Sequence, residues 1–288
     1  MGGGSWTETA FRSYVKSSYG TSATLDSLGS LDVSLSNQEM FKQRCVDSAL
    51  SPYKIIRECL DSEEHPNTFP VILALDVTGS LGDAGVEIAK KLNVIMTNLY
   101  DKVKDIEFMI MGIGDLYCDS GPIQISQFES DIRIAEQLDK LWFEFGGGGN
   151  LWESYTAAWY MGSRHCKLDC WNRGKKGIII TIGDERMNPY LQENILSMVT
   201  GDNIEADIDS ANLYKEASEK YDIYHIHVDH RLYDSDKNGI IESWKMLGNN
   251  FKVCNMDDIA DTIVDIIVNN EIDNNVVVNN SNSYGISW

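Results

Sequence analysis

The sequence predicts an α/β fold built on a mainly parallel sheet, and three observations carry that prediction. Short apolar runs, "FPVILAL" from Phe69, "IEFMIMGIG" from Ile106 and "KGIIITIG" from Lys176, have the unbroken hydrophobicity of strands buried on both faces. The segments between them space their apolar residues for helices, as Ile88, Leu92, Ile95 and Leu99 do. Strands that alternate with helices give parallel pairing, and right-handed crossovers then place helices on both faces of the sheet.

The elements follow in order. Residues 38–60 carry an apolar face (Met40, Phe41, Val46, Leu50, Ile55, Ile56, Leu60) interrupted by Pro52, which predicts two short helices before the polar loop "DSEEHPNT". After the strand from Phe69, a helix is expected over 83–100, then the strand from Ile106. "PIQISQF" (122–128) alternates and reads as one edge strand. Ile134, Leu138 and Leu141 predict a helix over 131–142, and another is expected over 152–163, after the glycine loop "FEFGGGGN". Helices over 189–199 and 207–220 follow the strand "KGIIITIG". A strand over 221–228, a short helix over 240–247, a strand over 250–254 and a helix over 257–270 complete the pattern. The organisation is an N-terminal extension with short helices (1–66), one α/β domain (67–270) and an Asn-rich tail (271–288), expected to be disordered or a peripheral strand. There is no internal repeat.

Composition restricts function. The 288 residues carry 44 acids against 24 bases, a formal charge of −20. Such a surface repels phosphate backbones, which argues against nucleic acid and favours basic or neutral partners and divalent cations. The six cysteines lack the dense framework of a small secreted fold, and the Cys166/Cys170 spacing has no second ligand pair nearby to make a zinc site. No stretch approaches the roughly 20 apolar residues of a membrane helix. The N-terminus, "MGGGSWTETAF", is neither basic nor followed by an apolar run; it has the form of Gly/Ser linker sequence and matches only the bare pattern for myristoylation. The expectation is a cytoplasmic, reduced protein with no membrane partner.

Oxygen-bearing side chains gather at the strand ends. "LALDVTGSLG" presents Asp76, Thr78 and Ser80 two residues apart, with Gly79 to bend the loop and Gly82 to admit a partner. The second strand ends in "GIGD" at Asp115, and "TIGDE" ends in Asp184 and Glu185. The loop "GGGGNLWES" supplies Asn150, Glu153 and Ser154. In parallel sheets ligands bind outside the carboxyl ends of strands. Hard oxygen donors with few nitrogens or sulfurs select Mg²⁺, Mn²⁺ or Ca²⁺. The competing reading of the same acids and hydroxyls is as helix N-caps.

At "DVTGS" the chain resembles the metal-ion-dependent adhesion site, D-x-S/T-x-S, of von Willebrand factor type A domains, and the resemblance covers about residues 69–270. It implies a Rossmann-like three-layer α/β/α sandwich holding Mg²⁺, and a protein–protein interaction module in which an acidic side chain of the partner completes the metal's coordination. Asp76, Thr78 and Ser80 carry over directly. The family's second-loop Thr is absent, with Asn150 the best match and Ser154 or Glu153 its rivals. The third-loop acid, usually in T-D-G, comes two residues later here, as Asp184 in Thr181-Ile-Gly-Asp. "LDVTGS", "IGD", "QFES", "GGGGN…ESY" and "TIGDE" together are similar to a subgroup of type A proteins of bacteria and their phages. Family context suggests an AAA-type ATPase as a neighbour.

Other chemistries find less support. There is no P-loop lysine, dinucleotide fingerprint or G-x-S-x-G elbow, and Thr78 stands where a haloacid-dehalogenase-type phosphotransferase needs its second Asp. A Mg²⁺-dependent hydrolase using Asp76, Asp115, Asp184 and Glu185 with Glu153 as base stays open. So does a structural scaffold with a degenerate metal site. "DSDKNGIIE" matches the first half of an EF-hand loop through Asp234, Asp236, Asn238 and Gly239, with Asp229 and Glu242 as stand-ins because position twelve is Lys245. A polar turn before a helix explains the same residues. Among the tryptophans, Trp159 reads as core, whereas an exposed Trp152 beside the loops would suit a binding face.

Overall fold

The fold is that of a computed structural model, described over residues 4–79, 81–144, 152–229 and 233–282, the side chains of 233–235 and 272–282 excepted. It is a mixed α/β chain with a mostly parallel central sheet and, among the described residues, no barrel. The six central strands are β1 (Phe69–Asp76), β2 (Ile106–Ile113), β3 (Ile123–Ile125), β4 (Gly177–Gly183), β5 (Tyr221–Val228) and β6 (Phe251–Cys254). Their order in the sheet is β3-β2-β1-β4-β5-β6. All neighbours are parallel except β3, which lies antiparallel at the edge against β2. The chain therefore builds outwards from β1 to β3, returns to the centre, and builds the other way from β4. That reversal lies between β1 and β4, where an open α/β sheet leaves its crevice.

The apolar runs form strands because both of their faces are covered. Every residue of β1, β2 and β4 is buried. Alternate residues enter two separate hydrophobic clusters, as the two-residue period of a strand requires. Val71, Leu73, Leu75, Ile110 and Ile180 join one cluster with the helices α2 (Gly82–Tyr100) and α8 (Ile259–Asn282). Ile72, Ala74, Met111 and Ile179 join the other, with α4 (Thr156–Arg164), Leu196 of α5 (Glu193–Thr200), Leu213 of α6 (Ser210–Ser218) and Trp244 of α7 (Tyr233–Trp244). The helices α1 (Glu8–Tyr19) and α3 (Arg133–Leu138) extend the first cluster through Phe11, Val15, Ile134 and Leu138.

Several segments differ from the sequence expectation for local reasons. Residues 38–60 form a one-turn helix (Asn37–Met40), a 3-10 turn (Ser48–Leu50) and a short strand (Arg57–Cys59) rather than two helices. That strand runs parallel to Cys166–Leu168, and Cys59 enters the second cluster. The N-terminal residues share the sheet's own core: Trp6 donates to Asn93 Oδ1 at 3.0 Å, and Phe41 stacks on Phe143 at 4.2 Å between ring centroids. Trp152 and Glu153 form a two-residue strand ahead of α4. The tail expected as coil or strand continues as α8 to Asn282, a stretch free of Gly and Pro that offers no helix breaker. No helix among the described residues is long and apolar enough to cross a membrane.

Candidate functional site

Asp76 is the last residue of β1, at the carboxyl end and beside the reversal of strand order. Its side chain is buried, and Oδ1 accepts from the Thr78 amide at 2.9 Å and from the Thr78 hydroxyl at 2.6 Å. This is the tight turn an Asx residue makes with its own backbone two residues on. Asp76 thus does not cap α2, whose N-cap residue is Leu81, with no side-chain capping bond. Its other oxygen, Oδ2, accepts from the Tyr155 hydroxyl at 2.8 Å.

Tyr155 joins the loops across the crevice. The same hydroxyl accepts from the Glu185 amide at 3.3 Å, so one phenol spans the ends of β1 and β4. Gly183 makes this possible, because a Cβ there would overlap that hydroxyl. Gly114 serves Asp115 in the same way: a Cβ would sit 2.5 Å from Asp119 Oδ2, which accepts the Asp115 amide at 2.6 Å. The segment Trp152–Glu153 pairs in parallel with Arg186–Met187 and so lies along the loop that carries Asp184 and Glu185. Ser154 Oγ accepts from the Leu116 amide at 2.9 Å and donates to Asp115 Oδ1 at 3.4 Å, which ties the end of β2 to the same group.

The result is a crowd of buried carboxyl groups. Burial, then the charge of Asp184, pushes the Asp76 carboxyl up to about 7 against the opposing hydrogen bonds from Thr78 and Tyr155. Glu153 is pushed up to about 11, first by burial and then by Asp76, Asp119, Asp115 and Glu185. Glu185 rises to about 7 through burial and the charges of Asp184 and Asp236, with Arg186 opposing. The ion pairs among the described residues include neither Asp76 nor Glu153, and Glu153 Oε2 is buried without a hydrogen-bond partner. Arg186, the nearby base, is held by both oxygens of Asp236.

The structure thus brings Asp76, Thr78, Asp115, Glu153, Ser154, Asp184 and Glu185 to one end of the sheet. Ser80 and Asn150 lie outside the described residues. Among the described residues no group of three or more His, Cys, Asp and Glu is arranged to hold a metal ion. The donor set implied by the sequence has only two carboxylates, Asp76 and Asp184, and completes its shell with hydroxyl and amide oxygens.

The possible calcium loop takes another form. Residues 233–244 are helical, with non-helical φ and ψ at Asp236 alone. Asp236 is engaged by Arg186, Asn238 is exposed, and exposed Glu242 pairs with Lys245. The Asp234 side chain lies outside the described ones. A helical backbone spreads these oxygens around its axis, where a cation loop would turn them inwards.

Sequence reasoning missed two functional neighbours, Tyr155 and Asp119. A signal for both was present in the glycine that precedes each acid, Gly183 before Asp184 and Gly114 before Asp115, since a glycine ending a buried strand makes room for a close approach.

No protein-family profile matches the chain, and no curated protein does. Among solved structures, the chain is similar to the pilus adhesin SpaC from Lactobacillus rhamnosus GG in its open conformation, at 10% sequence identity and a TM-score of 0.49. The match covers 74% of this chain and 31% of that one. Another crystal form of the same adhesin gives 13% identity and a TM-score of 0.45 over the same shares. The chain therefore spans less than a third of the adhesin's length.

Proposed function

We propose that the protein is a divalent-metal-dependent protein–protein interaction module, with a three-layer α/β/α sandwich of the von Willebrand factor type A kind as its scaffold. The carrying observation is the placement of Asp76 and Asp184 at the carboxyl ends of the neighbouring parallel strands β1 and β4, where the strand order reverses. Two carboxylates so placed repel when ionised, and a bound cation turns that repulsion into coordination. The orphaned Oε2 of Glu153 points the same way, because a buried acceptor lacks a donor there.

In this reading Asp76, Thr78, Ser80, Asn150 and Asp184 hold the cation, Mg²⁺ by preference, with Mn²⁺ or Ca²⁺ as substitutes. The metal would supply a positive centre at which an acidic side chain of a protein partner docks. Tyr155 holds Asp76 in one rotamer, and the turn from Asp76 to Thr78 sets the first hydroxyl beside it. The strand order and the antiparallel edge strand support the scaffold assignment.

Isothermal titration with Mg²⁺, Mn²⁺ and Ca²⁺ on the wild type and Asp76→Ala tests this. A saturable heat in the wild type that disappears in the variant is expected. Equal and negligible heats in both proteins would end the metal reading. Capture of a partner that EDTA releases tests the second half.

A further inference from the structure

Beside Asp115 and Ser154, adjoining the proposed cation site but lined by none of its five ligands, a cavity of about 190 Å³ opens to solvent. Its walls include Asp115, Tyr117, Trp152, Asn188, Tyr190 and Gln192. The volume is below the roughly 300 Å³ at which small-molecule pockets begin, so it suits the head of one side chain. Three of these residues are aromatic, and none belongs to the core. Trp152, Tyr190 and Tyr117 are 37%, 43% and 70% exposed, whereas Trp159 and Trp244 are 0% exposed. Exposed aromatic residues scattered singly are ordinary, but three converging on one cavity with a carboxylate are a chemical statement. Ring faces carry negative quadrupole and attract cations, most strongly with Trp, and the carboxylate adds a full charge. The chain's formal charge of −20 raises the concentration of cations near the mouth.

The walls are held in place before any ligand arrives. Asn188 Nδ2 donates to Thr156 Oγ1 at 2.7 Å and to the Tyr190 carbonyl at 3.0 Å, and its Oδ1 accepts the Thr156 amide at 3.1 Å. Tyr190 is also paired with Asp209 in a short antiparallel ladder. Trp152 is fixed in register with Arg186, and the Leu116 amide is tied to Ser154. Walls fixed in this way reduce the ordering a ligand must impose.

We propose that this cavity binds the ammonium head of a lysine side chain, unmodified or methylated, presented by a protein partner. The aromatic faces take the ε-methylene and the cation, and the buried Asp115 carboxyl, whose Oδ1 accepts from the Tyr117 amide and the Ser154 hydroxyl, lies in the wall behind them. Only the assignment to a protein partner rests on the function proposed above; the cavity itself needs no metal.

The test is titration of Nα-acetyl-lysine N-methylamide, its ε-trimethyl form and the neutral norleucine analogue into the whole protein, in EDTA, followed by calorimetry. Either lysine probe is expected to bind at least about tenfold more tightly than norleucine. Trp152→Ala and Tyr190→Ala are each expected to weaken that binding about tenfold, and Trp152→Phe to retain part of it. Equal affinity for norleucine would reduce the site to an apolar slot and overturn the proposal. So would no binding of either lysine probe, or unchanged binding in both alanine variants with native circular dichroism. Because EDTA is present throughout, failure of the metal reading leaves these outcomes unaffected.

Discussion

The two ends of the central sheet are built on opposite electrostatic plans. At the carboxyl ends, burial first and neighbouring like charges second raise the pKa values of Asp76, Glu153 and Glu185. At the amino ends, Lys102, Lys104, Arg173, Lys175 and Lys176 line a cavity of about 520 Å³. Several charges there are balanced within the chain: Arg173 pairs with Asp61 and donates to the Thr68 carbonyl, and Lys176 pairs with Asp222 and donates to the Ser218 carbonyl. At the amino end, Arg173 and Lys176 thus find partners within the chain. The other end crowds like charges together, and it also holds the strand-order reversal.

The strand β4 runs through both ends, and its two terminal glycines give the strongest way to break the comparison. Gly183→Ala drives a methyl into the Tyr155 hydroxyl, which is fixed by two hydrogen bonds, and is expected to cost about 3 kcal/mol in urea unfolding. Gly177→Ala at the amino end sets a methyl 2.9 Å from the Pro70 carbonyl oxygen and 3.0 Å from the Pro70 and Tyr221 side chains, inside ordinary contact and against strand backbone, and is expected to cost about 2 kcal/mol.

Cation addition should sharpen the contrast next. At a concentration near a hundred times its Kd, Mg²⁺ is expected to stabilise the wild type by about 2.7 kcal/mol and Asp76→Ala by almost nothing. Lys102→Ala combined with Lys104→Ala should leave the effect intact, as measured by thermal melts with and without EDTA.

pH acts through the same carboxylates. An acid whose folded pKa is raised stabilises the fold below its unfolded pKa, and that contribution is lost as pH rises through the folded value. The metal-free protein is therefore expected to lose stability between about pH 4 and the values near 7 for Asp76 and Glu185, with Glu153 continuing the loss above. Glu153→Gln should flatten the upper part of that curve and stabilise the metal-free protein at neutral pH by about 1 kcal/mol. A flat profile in the wild type would contradict the crowding of charge at this end.

Tyr155→Phe removes a buried hydroxyl with two partners and is expected to cost about 1–2 kcal/mol and to weaken cation binding. Arg173→Ala, at the amino end, removes an ion pair that solvent reaches, and its effect should stay below about 1 kcal/mol.

The sequence by itself determined the strands and their burial. Eight-residue apolar runs such as Phe69–Asp76 admit few other solutions, because only a strand covered on both faces hides every side chain. It also determined that Asp76, Thr78, Asp115, Asp184 and Glu185 stand at strand ends, since each acid or hydroxyl directly follows the apolar run that carries it. Short elements were less legible. Arg57–Cys59 is a strand only because Cys166–Leu168, over a hundred residues away, offers an edge to pair with. Tertiary structure alone decided that β1 and β4 are neighbours and that Asp76 and Asp184 therefore share one crevice. It alone placed Tyr155 between them and brought three aromatic residues from separate segments to one cavity. Periodicity records which side chains leave water, a property of each segment. Which segments meet depends on contacts between distant parts of the chain, and local patterning carries no record of those.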